Sequence, residues 1–222
     1  PGGKALAMFS VHLWAEFTLM QLIVGGVFER HPNLKWVPTE AGWDGPMKCA
    51  GMLDFTLGAS RGADNRTMGM FGDETTNSLT KLPSEYVKQN LWYGVSVGLG
   101  PDQVKMAKEL VGVDRIMWGS DYPHEEGSSP QSKIAIRWAF NDVSVDDTRQ
   151  MLAGNAAEIY KIDLDALVPI AKEIGPLVSE VHRPITAGDA DFDGKIYTAD
   201  FIPRPFPGGS LLMRGREADA KF

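Results

Sequence analysis

Apolar positions recur at three- and four-residue spacing through the N-terminal stretch "LAMFSVHLWAEFTLMQLIVGGVFERHP", at Leu13, Phe17, Met20, Leu22, Ile23 and Val24. That period predicts a helix over about Ala5 to Phe28, weakened at its end by Gly25-Gly26 and stopped by Pro32. "LKWVPTE", Leu34 to Glu40, predicts a short strand in which the backbone donor missing at Pro38 is not needed. "WDGPMKCAGMLDFTL" predicts a helix from Pro46, since proline is tolerated at a first helical position. Residues 58–82 hold four glycines and many polar residues without a clear period, which predicts an inserted surface loop covering a site.

The pattern then alternates. "LPSEYVKQN" predicts a short helix capped by Ser84, and "LWYGVSVG" predicts a strand over Leu91 to Gly98, rich in aromatic and β-branched residues. "GPDQVKMAKELVG" predicts a helix bounded by Pro101 and Gly112. "VDRIMWGS" predicts the next strand and "SPQSKIAIRWAFND" the next helix. "SVDDTRQMLAGNAAEIYKI" predicts two short helices capped by Ser144 and Asn155. Strand and helix thus alternate over Leu34–Leu57, Leu91–Val111 and Arg115–Phe140, which predicts a parallel α/β sheet, doubly wound or part of a (β/α)8 barrel. Three such units cannot close a barrel, which typically takes about 250 residues. From residue 163 the alternation stops. "LDALVPIAKEIGPLVSEV" predicts a helix and the remainder a Pro/Gly-rich tail. The expected organisation is therefore 1–162 as one α/β part and 163–222 as an extension.

Composition removes some partners. The 222 residues carry a formal net charge of −7, which argues against nucleic acid and anionic membrane surfaces. No apolar run approaches the roughly 20 residues a bilayer span requires. A single cysteine, Cys49, excludes an internal disulfide framework and fits a reducing, cytoplasmic setting. Its helix brings no histidine close in sequence, so it reads as a packed thiol.

The candidate chemistry gathers in "RIMWGSDYPHEEGSSP", where an apolar run ends in Ser-Asp-Tyr-Pro-His-Glu-Glu. Asp121 stands just past a predicted strand's C-terminal end, where parallel α/β proteins place their chemistry. There it would bind a metal or take a proton from a metal-bound water, or else cap the following turn. The local cluster favours chemistry. His124 is a candidate ligand, proton carrier or orienting partner for Asp121, against the alternative of an exposed loop histidine. Glu125 and Glu126 read as solvated or helix-leading charges. Glu40 ends the strand at "VPTEAGW"; in a parallel sheet it would emerge at the same end as Asp121, or interact with helix-start donors. Trp43, Trp118 and Tyr122 are candidates for a pocket wall, with the core as the alternative for the two tryptophans. His12 on the first helix reads as structural and His31 as surface. In the tail, "DADFDGKIYTAD" (189–200) has the acid and glycine spacing of a calcium loop, with Asp200 at the last position. Pro184, Gly188 and "FIPRPFPGG" leave no flanking helices, so an acidic turn is the preferred reading there.

Three motifs, "GGVFERHPNLKWVPTEAGW", "GVDRIMWGSDYPHEEG" and "GNAAEIYKI", resemble the amidohydrolase-related family of (β/α)8 metal enzymes, which includes aminocarboxymuconate semialdehyde decarboxylase. They span roughly Ala15 to Ile162 in the family's order. The resemblance implies the last three units of a TIM-type barrel, and an activity of hydrolysis or decarboxylation on a small carboxylic or aromatic substrate. It implies a divalent metal, Zn2+ being expected, served by Asp121, with His124 and Glu40 shaping or protonating the substrate. Glu40 occupies a position where many relatives carry histidine, and the family's His-x-His has no counterpart in the chain. The 222 residues are accordingly expected to be a fragment, inactive alone, beginning "PGGKALAMFS" without an initiator methionine. A zinc site takes about three protein ligands, and one is named here. The partners expected are a small-molecule substrate and, left open, a second copy in a homo-oligomer. The rival readings are a metal-free scaffold that kept the fold and a calcium-binding module at 189–200.

Overall fold

A computed structural model describes residues 2–39, 41–42, 44–59, 73–95, 100–123, 128–129 and 132–184. The structure is a mostly helical α/β arrangement with a small parallel sheet, and it divides into two compact units, 1–93 and 94–222.

In the first unit, α1 (Gly3–Val24) buries Leu19 and Ile23. The expected single helix to Phe28 is instead broken. Gly26 adopts φ 67°, a left-handed conformation that costs glycine little, and α2 (Val27–Arg30) restarts at a new angle that seats Phe28 in the core. Arg30 donates from Nη1 to the Gly25 carbonyl at 2.9 Å, satisfying one of the orphan acceptors at the break.

Among the described residues, the strand expected over Leu34–Glu40 is reduced to isolated bridge positions at Trp36 and Thr39; Trp36 pairs in parallel with Leu91, closed by Trp36 N–H to Asn90 O (2.8 Å) and Trp92 N–H to Trp36 O (3.0 Å). On the N-terminal side of Trp36 the acceptors are taken by a side chain. Buried Asn90 donates from Nδ2 to the carbonyls of Pro32 (3.0 Å) and Leu34 (2.8 Å), while Pro38 has no N–H to offer.

Helix α3 (Asp44–Ala59) begins two residues before Pro46. Proline still lies in the first turn, where its missing N–H would have had no helical partner. The loop expected at 58–82 is also revised. Residues 60–72 lie outside the described set, but α4 (Glu74–Ser78) follows, opened by Asp73. The Asp73 carboxylate accepts from Thr76 N–H at 2.7 Å, and Thr76 Oγ1 accepts from Asp73 N–H at 2.9 Å. This reciprocal cap uses threonine where glutamate is usual, so the sequence pattern concealed it. In α5 (Pro83–Asn90), Ser84 is inside the first turn rather than its cap. Its N–H is accepted by Asp54 at 2.9 Å, while Glu85 accepts from Leu82 N–H at 2.7 Å. Tyr86, Val87, Leu57 and Leu91 complete this core with Leu19, Ile23 and Phe28.

The boundary between the units falls within β1 (Tyr93–Val95), which is followed by the crossover helix α6 (Pro101–Leu110) and by β2 (Ile116–Trp118), the β-α-β order a parallel pair requires. Residues 113–115, expected to be strand, form a single tight helical turn after Gly112, whose φ is 89°. Helix α7 (Ser132–Phe140) packs on α6. Gly100 permits that approach, for a Cβ there would lie 2.5 Å from the Trp138 ring.

The two helices expected near the end of this part are one continuous rod. Helix α8 (Val145–Arg149) passes through a wider turn, Gln150–Gly154, into α9 (Asn155–Tyr160). Ser144 caps α8 as expected, accepting from Asp147 N–H at 3.2 Å. Asn155 does not cap. Fully buried, it donates from Nδ2 to the carbonyls of Val113 (2.7 Å) and Ile116 (2.6 Å), and its Oδ1 accepts from Gln150 at 2.6 Å. The chain then forms α10 (Leu164–Ile174), capped by Asp163, and α11 (Val178–Val181) against α7. Buried Arg137 on α7 donates to the carbonyls of Arg183 (3.0 Å) and Pro184, tying the chain beyond α11 to the core. No helix of the described residues is long and apolar enough to cross a membrane. The calcium-like stretch 189–200 lies outside the described residues.

Candidate functional site

β2 delivers the site. Ile116 and Met117 are buried, and Asn155 holds the strand's entry through two carbonyls. At the exit, Gly119 N–H pairs with Val95 O at 2.8 Å, so the sheet continues one residue past the strand. Asp121 follows with φ 59°. A non-glycine residue in this left-handed region is uncommon, and Asp is among the few side chains that tolerate it. Such positions concentrate at functional sites, where the surroundings over-determine the backbone. The carboxylate Oδ2 of Asp121 is buried from solvent.

Ser120, just before Asp121, is bonded to residues just before α7. Ser120 O accepts from Ser128 N–H at 2.8 Å and from Ser128 Oγ at 3.3 Å, and Ser128 Oγ lies 3.0 Å from Ser132 Oγ at the start of α7. Ser128 is itself buried. Ser120 Oγ accepts from Tyr122 N–H at 3.4 Å. Three serines thus tie Ser120, next to Asp121, to Ser128 and to the start of α7. Sequence reasoning passed over them; the signal available was the serine spacing in "GSSPQS".

Of the six candidate site residues, three are described, and all lie within the strand and its exit turn. Trp118 ends β2 half-buried, Asp121 follows, and Tyr122 is 75% exposed. His124, Glu40 and Trp43 lie outside the described residues. His12 is on α1 and His31 is exposed after α2. Cys49 is buried on α3 with its thiol 3.6 Å from Glu16, and burial first, then the Glu16 charge, pushes its pKa up to about 11. At neutral pH it is a protonated, poorly nucleophilic thiol.

Metal binding needs several ligands to converge. Among the described residues no group of three His, Cys, Asp or Glu side chains does so. Asp121 has the position and donor chemistry of one ligand, but the described residues do not by themselves make a metal site.

A family model described as amidohydrolase matches residues 7–162. The chain belongs to the amidohydrolase family. Among solved structures, the 5-carboxyvanillate decarboxylase of Novosphingobium aromaticivorans, with bound manganese and 3-methoxy-4-hydroxy-5-nitrobenzoic acid, is similar at 20% identity and TM-score 0.51, covering 68% of this chain and 40% of that one. An amidohydrolase of Mycobacterium avium subsp. paratuberculosis matches at 27% identity and TM-score 0.49, over 68% of this chain and 34% of that one. The 5-carboxyvanillate decarboxylase of Sphingomonas paucimobilis matches at 25% identity and TM-score 0.47, over 64% and 38%. The chain therefore spans between 34% and 40% of the length of these three structures.

Proposed function

We propose that this chain supplies the closing β/α units of an amidohydrolase barrel, with residues 1–162 in the barrel and 163–222 as an extension, and that the assembled enzyme hydrolyses or decarboxylates a small aromatic or carboxylic compound with a divalent metal. The observation that carries the reading is Asp121. It combines a strand-end position, a left-handed backbone and a buried carboxylate oxygen within a loop pinned by Ser120, Ser128 and Ser132. Membership of the amidohydrolase family supports it.

In this proposal Asp121 is the carboxylate the chain contributes to the metal centre, and the other ligands come from outside the described residues. A divalent ion there supplies Lewis-acid chemistry. The chain's own residues do the rest. The serine clasp fixes Asp121 relative to β2, so its carboxylate holds or accepts a proton at one place rather than sampling several. His124 and Glu40 orient or protonate the substrate. Trp118 and Tyr122, on either side of Asp121, are the aromatic side chains offered to a flat ring, and Trp43 is a further candidate for the pocket wall. Zinc was expected, and manganese occupies the similar Novosphingobium structure, so the two ions are the ones to compare.

The test is Asp121→Asn in the complete enzyme loaded with Mn2+ or Zn2+, followed by metal content and by release of CO2 or hydrolysis product from aromatic carboxylates. The expected result is loss of tightly held metal and a fall in turnover of at least about a hundredfold. Full turnover and full metal content in the variant would overturn the assignment. The same measurement separates the enzyme from a metal-free scaffold.

A further inference from the structure

Helix α8 does not run into α9 as an unbroken α-helix; between them Asn155 N–H bonds to Gln150 O, five residues back. A turn of this kind takes in one extra residue, is rare, and is frequent at functional sites. It sets Asn155 about one residue's rotation, roughly 100°, away from where an unbroken helix would carry it. The displaced side chain is the one that reaches β2, donating from Nδ2 to Val113 O at 2.7 Å and Ile116 O at 2.6 Å. Gln150 grips the same residue a second time, its Nε2 donating to Asn155 Oδ1 at 2.6 Å. That bond decides which way round the Asn155 amide sits: with Oδ1 held by Gln150, both Nδ2 hydrogens are aimed at carbonyls. Gly154 makes the reach possible. A Cβ at this position would lie 2.6 Å from Gln150 Oε1 and 2.9 Å from its Cδ. The backbone there does not require glycine, since φ −57° and ψ −49° are ordinary helix.

What these residues hold is the strand that leads to Asp121. β2 is three residues long and packs against this turn and α9. Asn155 fixes its entry. At its exit Gly119 N–H meets Val95 O at 2.8 Å, and Asp121 follows two residues later. A strand this short has few ladder bonds of its own, so an anchor at the entry limits sliding of the whole segment, its exit included. We propose that Gln150, Gly154 and Asn155 form a positioning device that holds Asp121 in place through β2, Asn155 being the positioning residue. The inference rests on the reading of Asp121 as a site carboxylate, and adds the residues that place it from the far end of the strand.

Gly154→Ala separates positioning from stability. Alanine suits this helical backbone better than glycine, so Tm should hold or rise, while its methyl pushes Gln150 off Asn155. Amide exchange of the 222-residue chain then reads the strand's exit. The Gly119 and Ser128 amides, bonded to Val95 O and Ser120 O, should exchange faster relative to the Val111 amide, which is bonded to Ala107 O in α6. Asn155→Ala should give the larger effect and, in the complete enzyme, raise the Kd for Mn2+ by roughly tenfold to a hundredfold. If Asn155→Ala does not fold, Gly154→Ala carries the test. Gly119 and Ser128 amides that change only in step with Val111 would overturn the proposal. Metal affinity unchanged in Asn155→Ala but lost in Asp121→Asn would overturn it too. Metal retained in Asp121→Asn would instead remove the site reading, and the exchange rates would then decide whether the device holds the strand.

Discussion

Replacing Asn155 with alanine tests how the site-bearing strand is held. The side chain is fully buried and makes three short hydrogen bonds: to Val113 O at 2.7 Å, to Ile116 O at 2.6 Å and from Gln150 Nε2 at 2.6 Å. Gln150 is partly exposed and finds water after the change. The Ile116 carbonyl does not, because its bond is buried beside β2, while the Val113 carbonyl in the turn before it is only partly buried. Leaving a buried acceptor unmet costs about 1–3 kcal/mol, and one of the two relaxes by shifting toward solvent. The truncation also leaves a small void. The expected loss is about 2–4 kcal/mol, on the order of a 10 °C fall in Tm for a chain of this size. Asn155→Asp retains the shape but turns an oxygen toward the carbonyls. Its ionised form is disfavoured in the fold, so its pKa rises above the usual value of about 4. The sign follows. Below that value the neutral acid donates to one carbonyl and the variant is mildest; above it, stability is lost progressively as the unfolded chain ionises. Urea unfolding by circular dichroism at acid and neutral pH measures both variants. Asn155→Ala within 0.5 kcal/mol of wild type would refute the account of how β2 is anchored.

Other substitutions probe single contacts. Arg137→Met should cost about 2–4 kcal/mol and raise amide exchange in α11, since the carbonyls of Arg183 and Pro184 lose their donor; unchanged exchange would contradict the tether. Tyr86→Phe removes the phenol that donates to Glu29 and is the main reason that carboxyl titrates below its usual range. A depressed acid stabilises above its unfolded pKa and loses that contribution in acid, so the variant's deficit should be about 1 kcal/mol at neutral pH and shrink as pH falls below about 4. A pH-independent gap in denaturation midpoints would refute it. Gly100→Ala should destabilise by about 1–3 kcal/mol, because its Cβ would reach within 2.5 Å of the Trp138 ring. A neutral effect on Tm would show that the ring moves freely.

Helices were legible where their signals are local. Period, proline at the start and glycine at the end placed α1 and α6 within a few residues. Helix α4 stayed hidden because its reciprocal cap uses Thr76. Strand extent was over-read at Leu34–Glu40 and at 113–115, since apolar β-branched runs record affinity for a sheet but not whether a ladder partner is free. At the site, the resemblance singled out Asp121 and its loop. It did not show the left-handed backbone at Asp121 or the serine clasp, and Asn155 was mistaken for a cap because Asn at a helix start has that role more often.

By itself the sequence determined the helical periods, the family to which the motifs belong and the carboxylate at a strand's end. Those depend on spacing of a few residues and on side-chain type. Tertiary structure alone decided which buried carbonyls Asn90, Asn155 and Arg137 satisfy, across 56 and 58 residues for Asn90, 39 and 42 for Asn155, and 46 and 47 for Arg137. It also decided that, among the described residues, the apolar stripe of α10 is left exposed. The physical reason is common to both. A buried donor must find an acceptor and an apolar face must find a cover, but the residue that answers each is set by how distant segments pack, which no local pattern encodes.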